Sequence, residues 1–282
     1  MSARSRLLVV ALVVFALAIG VLIGSGPLRS ALLGTTNTDA RDLATVEGRA
    51  AVAEAKAQQG EDFADATGPI AVRGHLDGIA VALVRTADAT DEDAAAAAAH
   101  MDDAGATTAS TVALTEDWAS DERAPFRDAL AEQIATAMDD PPVGATTAQV
   151  LSAALAEALA PGADGDFVDA AAQERADTLW TLLSDAQLVT GERAAPANLF
   201  LLVTPGADVS DLAGAFVETT ASTVVAFTTA EAGPAGAAAT VTNAASFYGA
   251  WAVAGAAISA ANGNVGAFDA TDADELIGDL AD

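Results

Sequence analysis

The residues whose types could bind a metal ion lie together in His100-Met101-Asp102-Asp103, near the end of a predicted helix. Imidazole and thioether groups suit copper, and nearby carboxylates raise the local concentration of cations. Neighbouring residues on a helix point about 100° apart, however, so His100 and Met101 do not easily bind one ion. A histidine at the C-terminal end of a helix is also stabilised by the helix dipole without any metal. We therefore assign no metal site and keep His100 and Met101 as the candidate ligands.

Known catalytic and nucleotide-binding motifs are absent from the sequence. The turn after the first predicted strand, Arg85-Thr86-Ala87-Asp88, is not a glycine-rich phosphate loop, and neither G-x-S-x-G nor H-E-x-x-H occurs. Only two histidines are present as general bases near neutral pH, and 40 acidic residues do not single out one carboxylate pair. We predict no catalytic residue, no cofactor-binding residue and no enzymatic activity.

The charge of the chain is strongly negative. Asp and Glu number 40 against 12 Lys and Arg, which gives a formal net charge of -28, and Lys56 is the only lysine. Such a chain is repelled by nucleic acids, whose recognition rests on neutralising phosphates with basic side chains, so we predict no nucleic-acid partner. The carboxylates are scattered along the chain, which favours a solvated acidic surface over a local cation-collecting patch. Without cysteine, the chain has neither disulfides nor thiolate metal ligands.

A membrane anchor is predicted at residues 7–24, which begin with Leu7, end with Gly24 and carry no charge. About eighteen residues at 1.5 Å rise come close to crossing a hydrocarbon core of roughly 30 Å. Arg4 and Arg6 precede this segment, so the positive-inside rule predicts a single-pass protein with a cytoplasmic N-terminus and the bulk of the chain extracytoplasmic. We assign residues 1–26 to the anchor. The alternative is a cleaved secretory signal, against which Pro27 argues because it directly follows the small residues.

A helical stalk or linker is predicted at residues 27–69. Its apolar residues Leu43, Val46, Ala50 and Ala53 keep the spacing of one helical stripe. One interpretation is a stalk that pairs helices from two subunits, which makes the protein a homo-oligomer. The other is a solitary solvated linker helix, and the pattern does not decide between them.

Strands and helices alternate after residue 70. Thr90 and Asp93 form a predicted capping box that starts a helix between the first two strands, so these strands should be parallel. The pattern indicates a Rossmann-like three-layer α/β domain with a mostly parallel sheet over residues 70–268, followed by an acidic tail at 269–282. The predicted strands lie at residues 79–84, 110–114, 198–203, 223–227 and 239–241, and the later helices at 121–137, 147–159, 170–183, 209–217 and 250–261.

Several stretches, taken in order, resemble the actinobacterial MctB-type copper transport proteins, a family described as channels of the outer envelope. The resemblance rests on FALAIGVLIGSG at residues 15–26, ARDL at 40–43, GIAVALVRTADATDEDAAA at 78–96, GATTASTVALTEDW at 105–118 and NGNVGAF at 262–268. It implies a protein of the outer envelope that acts in copper efflux or homeostasis, with copper as the transported ion and an oligomeric pore as one mechanism. The alternative is a structural or scaffold module of the cell envelope without a direct metal role.

Overall fold

The computed structural model describes residues 38–160, 170–220, 222–264 and 266–269 of the chain. The predicted anchor at residues 7–24 and the acidic tail from residue 270 onward lie outside this part. Among the described residues, no helix combines the length and the apolar composition that a membrane crossing requires. The described chain falls into two units, and the division lies between Phe63 and Ala64.

The first helix, α1, spans Thr38–Val72 and contains Pro69 in its last turn. Proline lacks the N–H that would bond one turn back, and a position this close to the helix end limits the cost of the missing bond. Val46 and Val52 are 60% and 57% exposed, whereas Val72 at the end of the helix is 3% exposed and belongs to a core of the α/β unit. Residues 38–72 form a helix, whereas the stalk at residues 27–69 and its pairing with a second copy stay predictions.

The α/β unit contains one sheet of seven strands in the order β3-β2-β1-β4-β5-β6-β7. All neighbouring strands are parallel except β2 and β3, so a mostly parallel sheet is confirmed. The strands are β1 (Ala80–Arg85), β2 (Thr107–Leu114), β3 (Val189–Arg193), β4 (Leu199–Thr204), β5 (Thr223–Phe227), β6 (Ala239–Thr242) and β7 (Ala267–Asp269).

Six further helices and two short 3-10 turns are found in the described ranges. The helices are α2 (Asp91–Ala98), α3 (Ala124–Ala137), α4 (Thr147–Leu159), α5 (Ala170–Asp185), α6 (Ser210–Thr220) and α7 (Phe247–Ala261), and the 3-10 turns are Glu116–Trp118 and Asp121–Arg123. The predicted capping box is confirmed: the Asp93 backbone N–H donates to Thr90, and the Thr90 backbone N–H donates to the Asp93 carboxylate.

Side chains of β4 show why the sheet is covered on both faces. Phe200 and Leu202 belong to a core with α3 to α6, whereas Leu199, Leu201 and Val203 belong to a second core with α2 and α7. Alternate residues of a strand point to opposite faces of the sheet. All of these side chains are fully buried, so helices cover both faces. The arrangement is a three-layer α/β structure.

The two cores differ in the size of their side chains. Phe200 and Phe216 stack in the first core with ring centroids 3.9 Å apart. The second core receives mainly alanines from the helix that covers it, with Ala252, Ala256 and Ala257 of α7 fully buried. Small side chains allow α7 to lie close to the sheet.

Two strands were not predicted from the sequence. The first, β3, reads Val-Thr-Gly-Glu-Arg and lies at an edge of the sheet, so it lacks the apolar run that marks a buried strand. Gly191 in this strand has φ +116°, and a side chain there would collide with the backbone oxygen of Thr111 on β2. The second, β7, has only three residues. The prediction of about five strands was therefore two strands short.

Candidate functional site

A cavity of the α/β unit opens where the strand order reverses. After β1 the chain continues to β2, which pairs with one edge of β1. The other edge of β1 pairs with β4, and from β4 the chain continues in the opposite direction across the sheet, to β5. The loops after β1 and β4 therefore separate at the C-terminal edge of the sheet. This reversal is where ligands bind in open α/β sheets. We call this cavity the switch-point crevice; residues from the loops after β1, β2 and β4 line it, among them Thr86, Thr115 and Asp208.

Two helices begin at the rim of the crevice, and each closes its own first turn. At α4, the Gln149 backbone N–H donates to the Thr146 hydroxyl at 3.3 Å, and the Thr146 backbone N–H donates to the Gln149 side chain at 3.0 Å. At α6, the backbone N–H and the hydroxyl of Ser210 both donate to Asp208, at 3.0 and 2.7 Å. These contacts occupy N–H groups that a bound phosphate would otherwise use.

The loops after β1 and β4 are also held by their own side chains. The Thr86 hydroxyl donates to the Asp88 carboxylate at 2.5 Å. The buried Thr204 hydroxyl accepts from the backbone N–H groups of Gly206 and Ala207, at 3.4 and 3.2 Å. The walls of the crevice are therefore preformed, and the backbone donors after β4 point to the protein.

The crevice has a volume of about 740 Å³ and an acidic lining. Arg127 is the one basic residue among its lining side chains, and its guanidinium donates to the backbone oxygens of Asp117, at 3.0 Å, and Ser120. The lining carboxylates are Asp88, Glu116, Asp128, Asp208 and Asp211. The two hydrogen bonds from Ser210 hold the pKa of Asp208 below its ordinary value, so this carboxylate stays ionised at neutral pH.

Ser152 places a hydroxyl at the wall of the crevice. It lies on α4, it is only 2% exposed, and it lines the cavity. Within the part of the chain that the structure describes, no group donates to or accepts from this hydroxyl, although helical serines and threonines elsewhere bond to nearby carbonyl oxygens, as Thr178 does to Glu174. Such a hydroxyl is available to a ligand.

His100 lies outside the crevice. It belongs to an aromatic cluster on the face of the sheet that α2 and α7 cover. Its ring stacks on Trp251 with centroids 3.5 Å apart and an interplanar angle of 11°, and it meets the edge of Phe247. Its Nδ1 lies 3.1 Å from the Asp103 carboxylate, and the side chain is 15% exposed. We call His100, Phe247 and Trp251 the aromatic cluster.

Met101 is directed elsewhere. It is 3% exposed and packs in the alanine-rich core, so the structure does not bring it together with His100 around a common open space. In the described ranges, no group of three or more His, Cys, Asp or Glu side chains has the geometry of a metal site. His75 is exposed on the surface and Met138 packs against the first core.

The residues of the crevice were not singled out from the sequence. Thr86 and Asp88 appeared there only as a turn without glycines, and Ser152 only as part of a helix. The available signal was positional: a turn that follows an apolar parallel strand lies at the ligand-binding edge of an α/β sheet. Which two turns adjoin the reversal depends on the strand order, and one sequence does not state that order.

Comparison with known proteins identifies the family of the chain. The family model described as "Copper transport outer membrane protein, MctB" matches residues 1–276. Proteins named copper transporter MctB from Mycobacterium bovis and from two strains of Mycobacterium tuberculosis are each 29% identical to this chain over 226 residues, which is 74% of this chain and 69% of each relative. The resemblance seen in the sequence is thus confirmed. Because the family model spans almost the entire length, the chain belongs to the MctB family of copper transport outer membrane proteins.

Proposed function

We propose that this protein acts in copper transport or copper homeostasis in the cell envelope, and that it is not an enzyme. The observation that carries the proposal is the family match over residues 1–276, together with the relatives named copper transporter. The family is named for transport and not for a reaction. Copper is then the cargo of the protein, and no resident metal is required.

The membrane topology follows from residues 7–24. This uncharged segment anchors the chain as a single-pass protein, with Arg4 and Arg6 on the cytoplasmic side and the α/β unit outside. The name of the family supports the outer envelope as the location. An anchored chain exposes its acidic α/β unit to the space through which copper ions would pass.

Pore formation requires a homo-oligomer. One apolar helix encloses no passage, so a pore through residues 7–24 needs several copies. Val46, Ala50 and Ala53 are exposed on one stripe of α1 and support association along this helix, because a partner helix could cover them together. Mild crosslinking of the full chain in membranes should therefore give a discrete ladder of homo-oligomers.

A scaffold role without copper is the alternative, and the surroundings of His100 and Met101 favour it. Both side chains take part in packing, so the described part of the chain assigns no soft ligands to the ion. If copper crosses the membrane through this protein, carboxylates or the anchor region must guide it. Otherwise the protein organises other envelope components and affects copper only indirectly.

Cellular copper content distinguishes these two functions. Deleting the gene should raise copper content and copper sensitivity, and expressing the full chain should return both to their original levels. A His100→Phe variant serves as the matched control, because phenylalanine keeps the aromatic stack but has no ligand nitrogen. It should restore copper content as well as the unchanged chain does. Unchanged copper in the deletion strain would overturn the transport function in favour of the scaffold.

A further inference from the structure

We infer that the switch-point crevice binds a small organic cation that has an apolar body and a hydroxyl or N–H group. The inference concerns a site remote from the aromatic cluster and does not depend on the copper function. Three observations carry it: the shape and apolar lining of the crevice, the balance of charge around it, and the unpartnered Ser152 hydroxyl.

The size and lining of the crevice fit an organic molecule better than a bare ion. Pockets for small molecules usually enclose about 300–1,000 Å³ and are lined mainly by apolar side chains. The crevice encloses about 740 Å³, and Leu114, Trp118, Leu151, Val209 and Leu212 contribute to its walls. A hydrated metal ion would leave most of this apolar surface without a partner.

The balance of charge selects a cation. Five carboxylates and one arginine line the crevice. The N-termini of α4 and α6 add only about half a positive charge each, which does not offset this excess. One N–H group at each helix start is, moreover, already bonded: that of Gln149 to Thr146 and that of Ser210 to Asp208. A phosphate or carboxylate ligand would therefore be repelled, and the same loops exclude a nucleotide.

Trp118 and Ser152 define the rest of the ligand. An ammonium group near the half-buried Trp118 ring is attracted to the face of the ring by the cation–π interaction. The Ser152 side chain is 2% exposed, it lines the crevice, and its hydroxyl has no protein partner in the described part of the chain. A ligand hydroxyl or N–H that reaches Ser152 can therefore form a hydrogen bond without breaking one inside the protein.

A matched series of probes tests the charge selection. Tyramine, tyrosol and 4-hydroxyphenylacetate share one phenol body and carry a positive, neutral and negative tail. Isothermal titration of each into the full chain in detergent should show tyramine binding at least about tenfold more tightly than tyrosol, or about 1.4 kcal/mol. The acid should not bind. Equal binding of the acid, or no binding of tyramine at millimolar concentration, would overturn the inference.

Variants test whether binding occurs in the crevice. Glu116→Gln should weaken tyramine binding about threefold to tenfold, whereas Glu132→Gln, which removes an exposed charge of α3 outside the crevice, should leave it unchanged. Equal losses in both variants would mean that the acidic surface merely attracts amines, and the site would be rejected. Ser152→Ala should weaken tyramine but not phenethylamine, which lacks the hydroxyl. An equal effect on both amines would overturn the role of Ser152.

Discussion

The aromatic cluster and the switch-point crevice use polar side chains in opposite ways. In the aromatic cluster, His100 is stacked on Trp251 and placed beside Asp103, so its ring has partners on its face and at its nitrogen. In the crevice, threonines and carboxylates hold the loops and helix ends apart around an open space, and Ser152 has no partner among the described residues. Histidine and tryptophan, which are rare in this chain, are used for packing in the aromatic cluster, whereas common residue types such as threonine and aspartate line the crevice.

This difference shows that residue chemistry alone is a poor guide to a binding site. Histidine and methionine attract attention because few other side chains bind copper, yet both are already occupied by neighbours in this fold. Aspartate, threonine and serine are ordinary residues individually, but strand order brings them to one edge of the sheet. The functional potential of a side chain depends on whether the fold leaves it a free direction.

The largest expected effect concerns the tryptophan of each region. Trp251→Ala should lower the free energy of unfolding by about 3 kcal/mol, because the Trp251 ring packs on His100 on one side and closely against Gly68, where it leaves no room for a side chain. Trp118→Ala should cost less than half as much, since Trp118 has one side open to the crevice. Urea unfolding of both variants measures the difference. Equal losses would show that the two regions are packed alike.

A conservative variant sharpens this result. The indole N–H of Trp251 is buried without a hydrogen-bond partner in the described part of the chain, which reduces the net stabilisation by this residue. Trp251→Phe should therefore change the free energy of unfolding by less than about 1 kcal/mol, because it keeps the stack and removes the unpaired donor. A loss as large as that of Trp251→Ala would show that the N–H has a partner after all.

A smaller effect is expected in the crevice. Ser152→Ala should change the free energy of unfolding by less than about 0.5 kcal/mol, because the hydroxyl lines the crevice and has no protein partner to lose in the described ranges. The melting temperature of the full chain without ligand measures this change. Ser110→Ala is the matched control, because the buried Ser110 hydroxyl donates to the Ala195 oxygen at 3.3 Å and its removal should destabilise. A clear destabilisation by Ser152→Ala would contradict an unpaired hydroxyl.

The smallest effect is a pH dependence at the crevice rim. Hydrogen bonds from Ser210 lower the pKa of Asp208, so its folded-state pKa lies below the unfolded value. The stability from this carboxylate is then fully present above the unfolded pKa, near about pH 4, and is lost as the pH falls through the folded pKa. The stability difference between the unchanged chain and Asp208→Ala should shrink below about pH 4. A constant difference down to acid pH would contradict this contribution.

The sequence predicted the elements of the fold better than their arrangement. Helix Thr147–Leu159 and strand Thr223–Phe227 have the predicted bounds, because a capping residue and a solid apolar run mark them locally. The parallel pairing of β1 and β2 followed from the intervening helix. The antiparallel strand β3 carried no such mark, because an exposed edge strand needs few apolar residues.

The candidate site was less predictable than the fold. His100 was predicted near the end of a helix and lies in the turn that follows α2, but its stack on Trp251 joins residues that are far apart in the sequence. The crevice depends on which strand lies beside β1, and that neighbour, β4, comes more than a hundred residues later. Local patterns cannot encode such a pairing, so a site formed by it becomes visible only in the structure.

The alanine-rich surface of α7 restricts how this protein can change during evolution. Alanine loses no rotamer freedom when it is buried, so ordering Ala252, Ala256 and Ala257 against the sheet carries no side-chain entropy cost. The same residues leave no smaller apolar choice except glycine, which weakens a helix. Every other apolar replacement is larger and would push α7 away from the sheet. Substitutions on this face are therefore tolerated poorly. Variation should accumulate on the opposite face of the sheet, whose larger side chains can be replaced by either smaller or larger ones.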